Sequence, residues 1–244
     1  GAGCMQSGKS ASAKFITGHK LKQSGLINLF DISPEGYLLI EAQDESGNVT
    51  RNAILDLYRD DFEFWQYADQ NIWDKCKIYS FAKILKESAI AIFGLDRNKD
   101  YGSDVDKNSP SSVKWKNVWS LFDKKRQKEI LTKYNDKLPE FMTNREVLQE
   151  FGTICRLFNE NCWVDAAWRN IQAEGYPNVI IDDCRYLNEV IISKQNNAKI
   201  VLLTKQKSKD THNSEKILEA DRSLFDFVID NADMTLQQKN DELI

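Results

Sequence analysis

The segment at the beginning of the sequence restricts the fold more than any other. Residues 1–10 read GAGCMQSGKS, and Gly3 to Ser10 fit the pattern G-x-x-x-x-G-K-[ST]. In a phosphate-binding loop of this pattern, backbone N–H groups surround the phosphates, the lysine neutralises their charge and the serine holds Mg²⁺. Glycine is needed where φ is positive or where a phosphate oxygen comes close. The segment therefore predicts nucleotide binding; the alternative is a Gly/Ser-rich N-terminal tail.

Such a loop normally lies between a strand and a helix. Ala11, Phe15 and Ile16 follow the loop at helical spacing, so a helix is predicted after it. The strand is absent, because the residues begin inside the loop and no initiator methionine is present. We therefore expect the chain to lack its natural start, with an apolar strand encoded upstream of Gly1.

Length and composition fit a globular protein. The 244 residues suit one α/β domain, with or without an insertion, and 41% of them are hydrophobic and 29% charged. The formal net charge of −4 argues against a dedicated nucleic-acid binder. No apolar run approaches the ~20 residues of a membrane span, and no secretory signal is visible. A cytoplasmic protein with no membrane and no stable nucleic-acid partner is expected.

Cysteine and histidine usage excludes several kinds of site. The sequence has five cysteines, none in C-x-x-C spacing, and two histidines. An odd number of scattered cysteines fits a reducing compartment, and it does not fit a zinc site or a disulfide framework. With only two histidines, the sequence gives little support for a histidine-based metal site or a Ser-His-Asp triad.

Short apolar runs and helical periodicity divide the chain. Residues 26–58 contain three apolar runs separated by turn residues, which predicts an antiparallel meander. Residues 78–93 read as an amphipathic core helix with Ile92 on the apolar face and Gly94 as its C-cap. Residues 96–112 are polar and rich in turn residues, so a loop or mobile flap is predicted there.

The second half of the chain predicts alternating helices and buried strands. A helix is expected from Thr143, which is a good N-cap, and a second one over 164–171. The runs at 179–183, 198–204 and 225–230 are apolar and most end in acids, as strands of a parallel sheet do. Strands that alternate with helices imply βαβ units.

Ligands of open parallel sheets bind beyond the carboxyl ends of the strands. The loop after residues 179–182 contains Asp183 and Arg185. The carboxylate can orient Mg²⁺ or a nucleotide, and the guanidinium can bind a phosphate through two hydrogen bonds. The alternative for the pair is a surface salt bridge.

A second set of candidate residues lies in REVLQEFGT. Arg145 and Gln149 are four residues apart and share a helix face, where an amide can bind a base edge and a guanidinium a phosphate. Gly152 within a helical pattern indicates close approach of another group. Trp163 either stacks on a base or packs in the core.

Several blocks, taken in order, resemble the deoxynucleoside monophosphate kinases of tailed phages. They are the N-terminal GxxxxGKS, FAKILK, REVLQEFGT followed by WV, VIIDDCRYLNE, KSKDTHNSE and DFVIDN. The resemblance covers residues 1–16 and 76–240. It implies a kinase domain over 1–16 and 76–244, with residues 17–75 as a β-rich insertion. The implied fold is the α/β three-layer fold of P-loop nucleotide kinases, with a central parallel sheet.

The resemblance also implies site residues. Lys9, Asp183 and Arg185 would be catalytic, and Ser10 would bind the metal. The donor nucleotide would contact Gly3, Ser7, Gly8, Lys9, Ser10 and Ala11. The acceptor would contact Arg145, Gln149, Gly152, Thr153, Trp163, Asp183, Arg185 and Glu189. Asp210, His212 and Glu215 match a segment near the donor adenine or in a closing loop.

The chain departs from the family pattern at two places. Ile84 replaces a proline, and Ser10-Ala11 stands where several members have Asp-Thr, so Ala11 cannot supply a second hydroxyl to a metal.

The resulting prediction is an ATP- and Mg²⁺-dependent kinase for deoxynucleoside monophosphates. The alternatives are a dephospho-coenzyme A kinase, a P-loop ATPase acting on DNA, and an inactive nucleotide-binding module. The sequence leaves base preference and oligomeric state open, a homodimer included.

Overall fold

The computed structural model describes residues 2–3, 8–43, 46–205 and 222–244 of the chain. It is a mixed α/β protein that forms two compact units. Unit 1 contains Gly1–Phe81 and Val164–Ile244, and unit 2 contains Ala82–Trp163. None of the helices in the described ranges is both long enough and apolar enough to cross a membrane.

The described residues of unit 1 form two parallel sheets and one antiparallel sheet. Their strands are β1 (Ala2–Gly3), β2 (Phe30–Ile32), β3 (Leu38–Gln43), β4 (Val49–Ile54), β5 (Lys77–Tyr79), β8 (Val179–Ile181), β9 (Val201–Leu203) and β10 (Phe227–Ile229). The first parallel sheet has the order β1-β9-β10, and the second pairs β5 with β8. Strands β2, β3 and β4 form an antiparallel meander.

The helices of unit 1 connect these strands. They are α1 (Lys9–Gln23), α2 (Phe62–Asn71), α10 (Leu187–Gln195) and α11 (Leu236–Asp241). Two further helices, α3 (Phe81–Phe93) and α9 (Cys162–Glu174), contain the positions at which the chain passes from one unit to the other.

The predicted parallel strands at 179–183, 198–204 and 225–230 are confirmed as β8, β9 and β10. The described residues contain a short strand before the loop, and the expected apolar strand upstream of Gly1 remains a prediction. Ala2–Gly3 forms β1, which pairs in parallel with Leu202 and Leu203 of β9. The pattern G-x-x-x-x-G-K-S therefore begins on the last residue of a strand.

The predicted meander over 26–58 is confirmed, and it packs on α1. Phe15 of α1 is buried with Ile32 and Leu38 of the meander. At Gly18 a Cβ atom would lie 2.5 Å from a ring carbon of Phe30, so the helix needs a glycine where the meander crosses it. The proposal that 17–75 is an insertion remains a prediction, and residues 17–23 continue α1.

Unit 2 consists of short helices, a longer helix and a two-stranded antiparallel sheet. Its elements are α4 (Arg97–Tyr101), α5 (Asp104–Lys107), β6 (Pro110–Lys114), α6 (Trp115–Val118), a 3₁₀ turn (Trp119–Leu121), α7 (Lys124–Lys133), β7 (Phe141–Thr143) and α8 (Asn144–Phe158). Trp115, 1% exposed, is the largest side chain in a core with Met142 and Val147.

The prediction of a loop over 96–112 is wrong, because polar side chains there cap helices. The carboxylate of Asp96 accepts a hydrogen bond from the N–H of Asn98 and begins α4. Ser103 and Asp106 form a reciprocal capping box at α5. Polar, turn-like composition is also the composition of helix caps, which explains the error.

Helix boundaries were otherwise close to prediction. Thr143 caps α8 in a capping box with Glu146, as expected. The helix predicted from residue 78 begins at Phe81, because Lys77–Tyr79 pair with β8 instead. The periodicity predicts Ile92 on the apolar face of this helix, but its side chain is 62% exposed.

Candidate functional site

Gly8, the second glycine of the motif, lies directly before α1. Gly8 has φ of 91°, in the left-handed region that favours glycine. Its carbonyl accepts hydrogen bonds from the N–H and the hydroxyl of Ser12, at 2.9 and 3.0 Å. Lys9 is the first residue of α1 and only 7% exposed, while Ser10 beside it is exposed. Ser7 lies outside the described residues.

A buried carboxylate lies next to Ser10. Asp182 follows β8 and is 5% exposed. The hydroxyl of Tyr58, from the segment after the meander, donates a hydrogen bond to Asp182 Oδ2 at 2.5 Å, and Ser10 is a hydrogen-bond partner of both side chains. Burial raises the pKa of Asp182, and nearby Asp183 adds to the rise, while the bonds from Tyr58 and Ser10 oppose it.

Lys14 places a positive charge one turn further along α1. Its Nζ donates to the Gly36 carbonyl at 2.9 Å and lies 5.3 Å from the ring centroids of both Tyr37 and Tyr58. Burial lowers the pKa of Lys14, and the charges of Asp56 and Asp182 oppose this effect. The meander and the residues after it thus enclose one side of the α1 start.

Asp183 has different partners from Asp182. Its Oδ2 accepts a hydrogen bond from the Ser80 hydroxyl at 2.6 Å, and its Oδ1 accepts one from the N–H of Phe81 at 2.8 Å. Successive residues at a strand end point to opposite sides, which separates the two carboxylates. Asp182 contacts the predicted metal-binding serine, Ser10.

Arg185 is held in place through its backbone. Glu189, 4% exposed on α10, accepts hydrogen bonds from the N–H groups of Arg185 and Tyr186, at 2.7 and 3.0 Å. These bonds explain why Glu189 follows Arg185 at a spacing of four residues. Within the described ranges the Arg185 guanidinium has no hydrogen bond or ion pair, so the salt-bridge alternative finds no partner there.

Lys9 lies near the same loop. Burial raises the pKa of the Cys184 thiol, and the charge of Lys9 opposes that rise. The structure therefore brings Lys9 and Ser10 to the residues that follow β8, as a site at the carboxyl edge of parallel strands requires.

A second lysine, from the C-terminal part of the chain, contacts Gly8 at the start of α1. Lys239 of α11 is 3% exposed, and its Nζ donates to the Gly8 carbonyl at 3.3 Å. Burial, together with the charge of Lys205, lowers its pKa to about 8.

Five of the eight predicted acceptor residues lie in unit 2 and fall into two groups. Arg145, Gln149 and Thr153 follow one another at intervals of four on α8; Gln149 and Thr153 are exposed and Arg145 is half-buried. The Arg145 guanidinium binds Asp104 at 2.6 Å, and the Thr153 hydroxyl donates to the Gln149 carbonyl at 2.8 Å.

Gly152 and Trp163 lie in the interior instead. Trp163 is 8% exposed and its Nε1 donates to the Gly152 carbonyl at 3.2 Å. A Cβ at Gly152 would lie 3.1 Å from the Leu85 side chain, which is the close approach that this glycine predicts. Asp210, His212 and Glu215 lie outside the described residues.

A cavity of about 560 Å³ in unit 1 has a lining unsuited to phosphates. It is bordered by Asp230, Asp233, Met234, Gln238, Asp241 and Glu242. Within the described ranges, no three His, Cys, Asp or Glu side chains converge as a metal site.

Sequence reasoning missed four residues of the α1 site. Asp182 is the first acid of VIIDD and directly precedes the predicted Asp183, whose catalytic role remains a prediction. Lys14, Tyr58 and Lys239 carry no motif, and only the fold brings the last two to the loop.

A glycine turn that opens a helix with a buried lysine, beside acids ending a parallel strand, is typical of proteins that bind nucleotide phosphates. Residues 2–240 match the family model for deoxynucleotide monophosphate kinase, so the chain belongs to that family. It is a phosphotransferase for deoxynucleoside monophosphates, as the resemblance predicts, and the match does not favour the alternatives. A search of curated proteins found no significant match.

Proposed function

We propose that ATP is the phosphoryl donor and that its phosphates bind at the start of α1. The contact of Ser10 with the buried Asp182, next to Lys9, is the observation that carries the proposal. A hydroxyl, a carboxylate and an ammonium at one helix start supply the groups that a triphosphate with its metal requires. ATP and deoxynucleoside monophosphates occur together in the cytoplasm, where we expect the enzyme to act.

The proposed fold is that of P-loop nucleotide kinases. The two parallel sheets of unit 1 would be parts of one sheet with the order β5-β8-β1-β9-β10. The contact between Ser10, which follows β1, and Asp182, which ends β8, supports this order. Helices on both faces of that sheet would give the three layers.

Mg²⁺ fits the oxygen atoms at this site. Magnesium prefers hard oxygen ligands, keeps several waters, and is usually bound by one or two protein groups together with substrate phosphates. Ser10 would be the protein ligand, and Asp182 would orient it by accepting a hydrogen bond from its hydroxyl. When bound, Mg²⁺ neutralises charge on the donor phosphates.

The reaction is an in-line transfer. A bond forms between an oxygen of the acceptor phosphate and the γ-phosphorus of ATP, while the bond from that phosphorus to the β,γ-bridging oxygen breaks and ADP leaves. The acceptor phosphate is already anionic at neutral pH, so no strong general base is needed. Lys9 stabilises negative charge on the donor, and the Arg185 guanidinium binds the phosphates that react.

The exposed face of α8 is the proposed acceptor-binding surface. Gln149 would bind the base edge and Arg145 the acceptor phosphate, with Thr153 beside them. Gly152 and Trp163 would support this surface through the hydrogen bond between them.

A coupled assay of ADP release, with ATP and each deoxy- or ribonucleoside monophosphate, tests the proposal. Lys9→Ala should lower kcat by at least about 100-fold, as loss of a group that stabilises transition-state charge does. Lys20→Ala, an exposed lysine of the same helix, is the matched control and should keep its rate. A Lys9→Ala enzyme with most of its kcat would exclude the proposed donor site.

Arg185 and substrate choice are tested in the same assay. Arg185→Lys keeps the charge but not the planar fork, so it should lose much of kcat, and Arg185→Ala should lose more. Wild-type kinetics in Arg185→Ala would show that Arg185 is not part of the site.

The same assay tests the preference for deoxyribose. A kcat/KM for dGMP or dTMP equal to that for the corresponding ribonucleotide would contradict it.

A further inference from the structure

Lys239 is a buried cation whose position the proposed reaction does not yet explain. It lies on α11, 231 residues from the glycine it contacts, and is 3% exposed. A buried ammonium is costly unless it is well paired. Within the described residues, the Lys239 ammonium donates a hydrogen bond to the Gly8 carbonyl at 3.3 Å.

The backbone at Gly8 is shaped to accept this lysine. A Cβ on Gly8 would lie 3.2 Å from Lys239 Nζ, and φ there is 91°. The same carbonyl accepts the N–H and hydroxyl of Ser12, so three donors fix its direction. The backbone conformation at Gly8 and the position of the Lys239 ammonium therefore depend on each other.

Fixing a carbonyl also fixes the next N–H. A peptide unit is planar, and in the trans form its C=O and N–H point in opposite directions. The N–H of Lys9 therefore points away from the Lys239 ammonium, at the start of a helix whose first N–H groups lack intrahelical acceptors. An ammonium at the carbonyl also polarises the peptide and strengthens that N–H as a donor.

We infer that Lys239 is a positioning residue for the donor phosphates, because it holds and polarises the Gly8–Lys9 peptide that presents an N–H to them. This inference rests on the proposed donor site. Lys205 is the neighbouring charge that acts on Lys239, and the two positive side chains repel each other. A phosphate anion near the loop offsets that repulsion, which couples Lys239 to the bound donor.

Steady-state kinetics of the full chain test this role, with ATP and a deoxynucleoside monophosphate varied separately. The variants are Lys239→Met, which keeps the length of the side chain, and Lys239→Arg, which keeps the charge. Lys199→Met removes an exposed lysine of unit 1 and is the matched control. Circular dichroism and thermal unfolding show whether each variant folds.

We expect Lys239→Met to lower kcat/KM for ATP by at least tenfold, with KM for the acceptor unchanged. Lys239→Arg should recover part of the loss, and Lys199→Met should behave as wild type. Two results would overturn the inference: kinetics within twofold of wild type in Lys239→Met, or equal losses for both substrates with a lowered melting temperature.

The Lys9→Ala variant separates this inference from the proposed function. If Lys9→Ala is inactive and Lys239→Met is normal, the donor site stands and the role of Lys239 fails. If Lys9→Ala is active, the donor site itself is wrong. Should Lys239→Met not fold, Lys239→Gln replaces it under the same criteria.

Discussion

Asp182 and Asp183 are adjacent carboxylates with separate tasks. Asp182 contacts Tyr58 and Ser10, whereas Asp183 accepts hydrogen bonds from Ser80 and Phe81. Asp182→Asn should lower kcat by about 100-fold with little loss of stability, because it removes charge beside the phosphates.

Asp183→Ala should cost about 1–3 kcal/mol of unfolding free energy, because it leaves two donors unpaired.

Kinetics and urea unfolding of the two variants measure these effects. If Asp183→Ala instead loses activity while its stability is unchanged, Asp183 is the catalytic carboxylate and this division of roles is wrong.

Tyr58 should set the acid limit of activity through Asp182. Burial and the charge of Asp183 raise the pKa of Asp182, while hydrogen bonds from Tyr58 and Ser10 lower it, with the Lys14 ammonium nearby. If the ionised carboxylate is the active form, kcat falls as pH decreases through that pKa. Tyr58→Phe removes one of the opposing bonds, so the acid limb should move to higher pH. An unchanged pH profile in Tyr58→Phe would contradict this role.

The packing of α1 against the meander depends on one glycine. In an open helix, Gly→Ala stabilises by about 1 kcal/mol. At Gly18, the added Cβ would meet Phe30 at 2.5 Å and Leu38 at 2.9 Å, so Gly18→Ala should instead destabilise by about 1–3 kcal/mol. Denaturant unfolding measures the change, with Lys20→Ala as the control on the exposed face. A stabilised Gly18→Ala protein would show that the meander can shift away.

Local patterns predicted elements whose causes are local. Thr143 and Glu146 form the expected capping box, and the apolar run before Asp182 forms the expected parallel strand. The prediction of secondary structure is wrong where one local pattern is compatible with two kinds of element. Asp96 and Ser103 read as turn residues but cap α4 and α5, and Lys77–Tyr79 continue a helical pattern but pair with β8.

The partners of the candidate site come from distant parts of the chain. Tyr58 and Asp182 are 124 positions apart, and Lys239 and Gly8 are 231 apart. The glycine–lysine–serine motif and the strand-end acids could be found from sequence, because each is a local pattern. The side chains that orient them could not, because no periodicity relates a tyrosine after the meander to a carboxylate after β8.

The pH dependence of folding stability should reflect the burial of Lys239. Its pKa is about 8 in the folded protein, against an ordinary value of 10.5. Between these values the unfolded chain binds more protons than the folded one, so stability rises with pH in this window, and below pH 8 the full cost is present. At about 1.4 kcal/mol per pKa unit, that cost is on the order of 3 kcal/mol.

Lys239→Met should therefore be more stable than wild type at pH 7, and the difference should shrink as the pH approaches 10.5. Urea unfolding of both proteins across this range measures it, and Lys199→Met should show no such trend. A gain in stability together with loss of activity is expected of a residue kept for function, because a purely structural side chain stabilises the fold it belongs to. A Lys239→Met protein less stable than wild type at pH 7 would identify the lysine as structural.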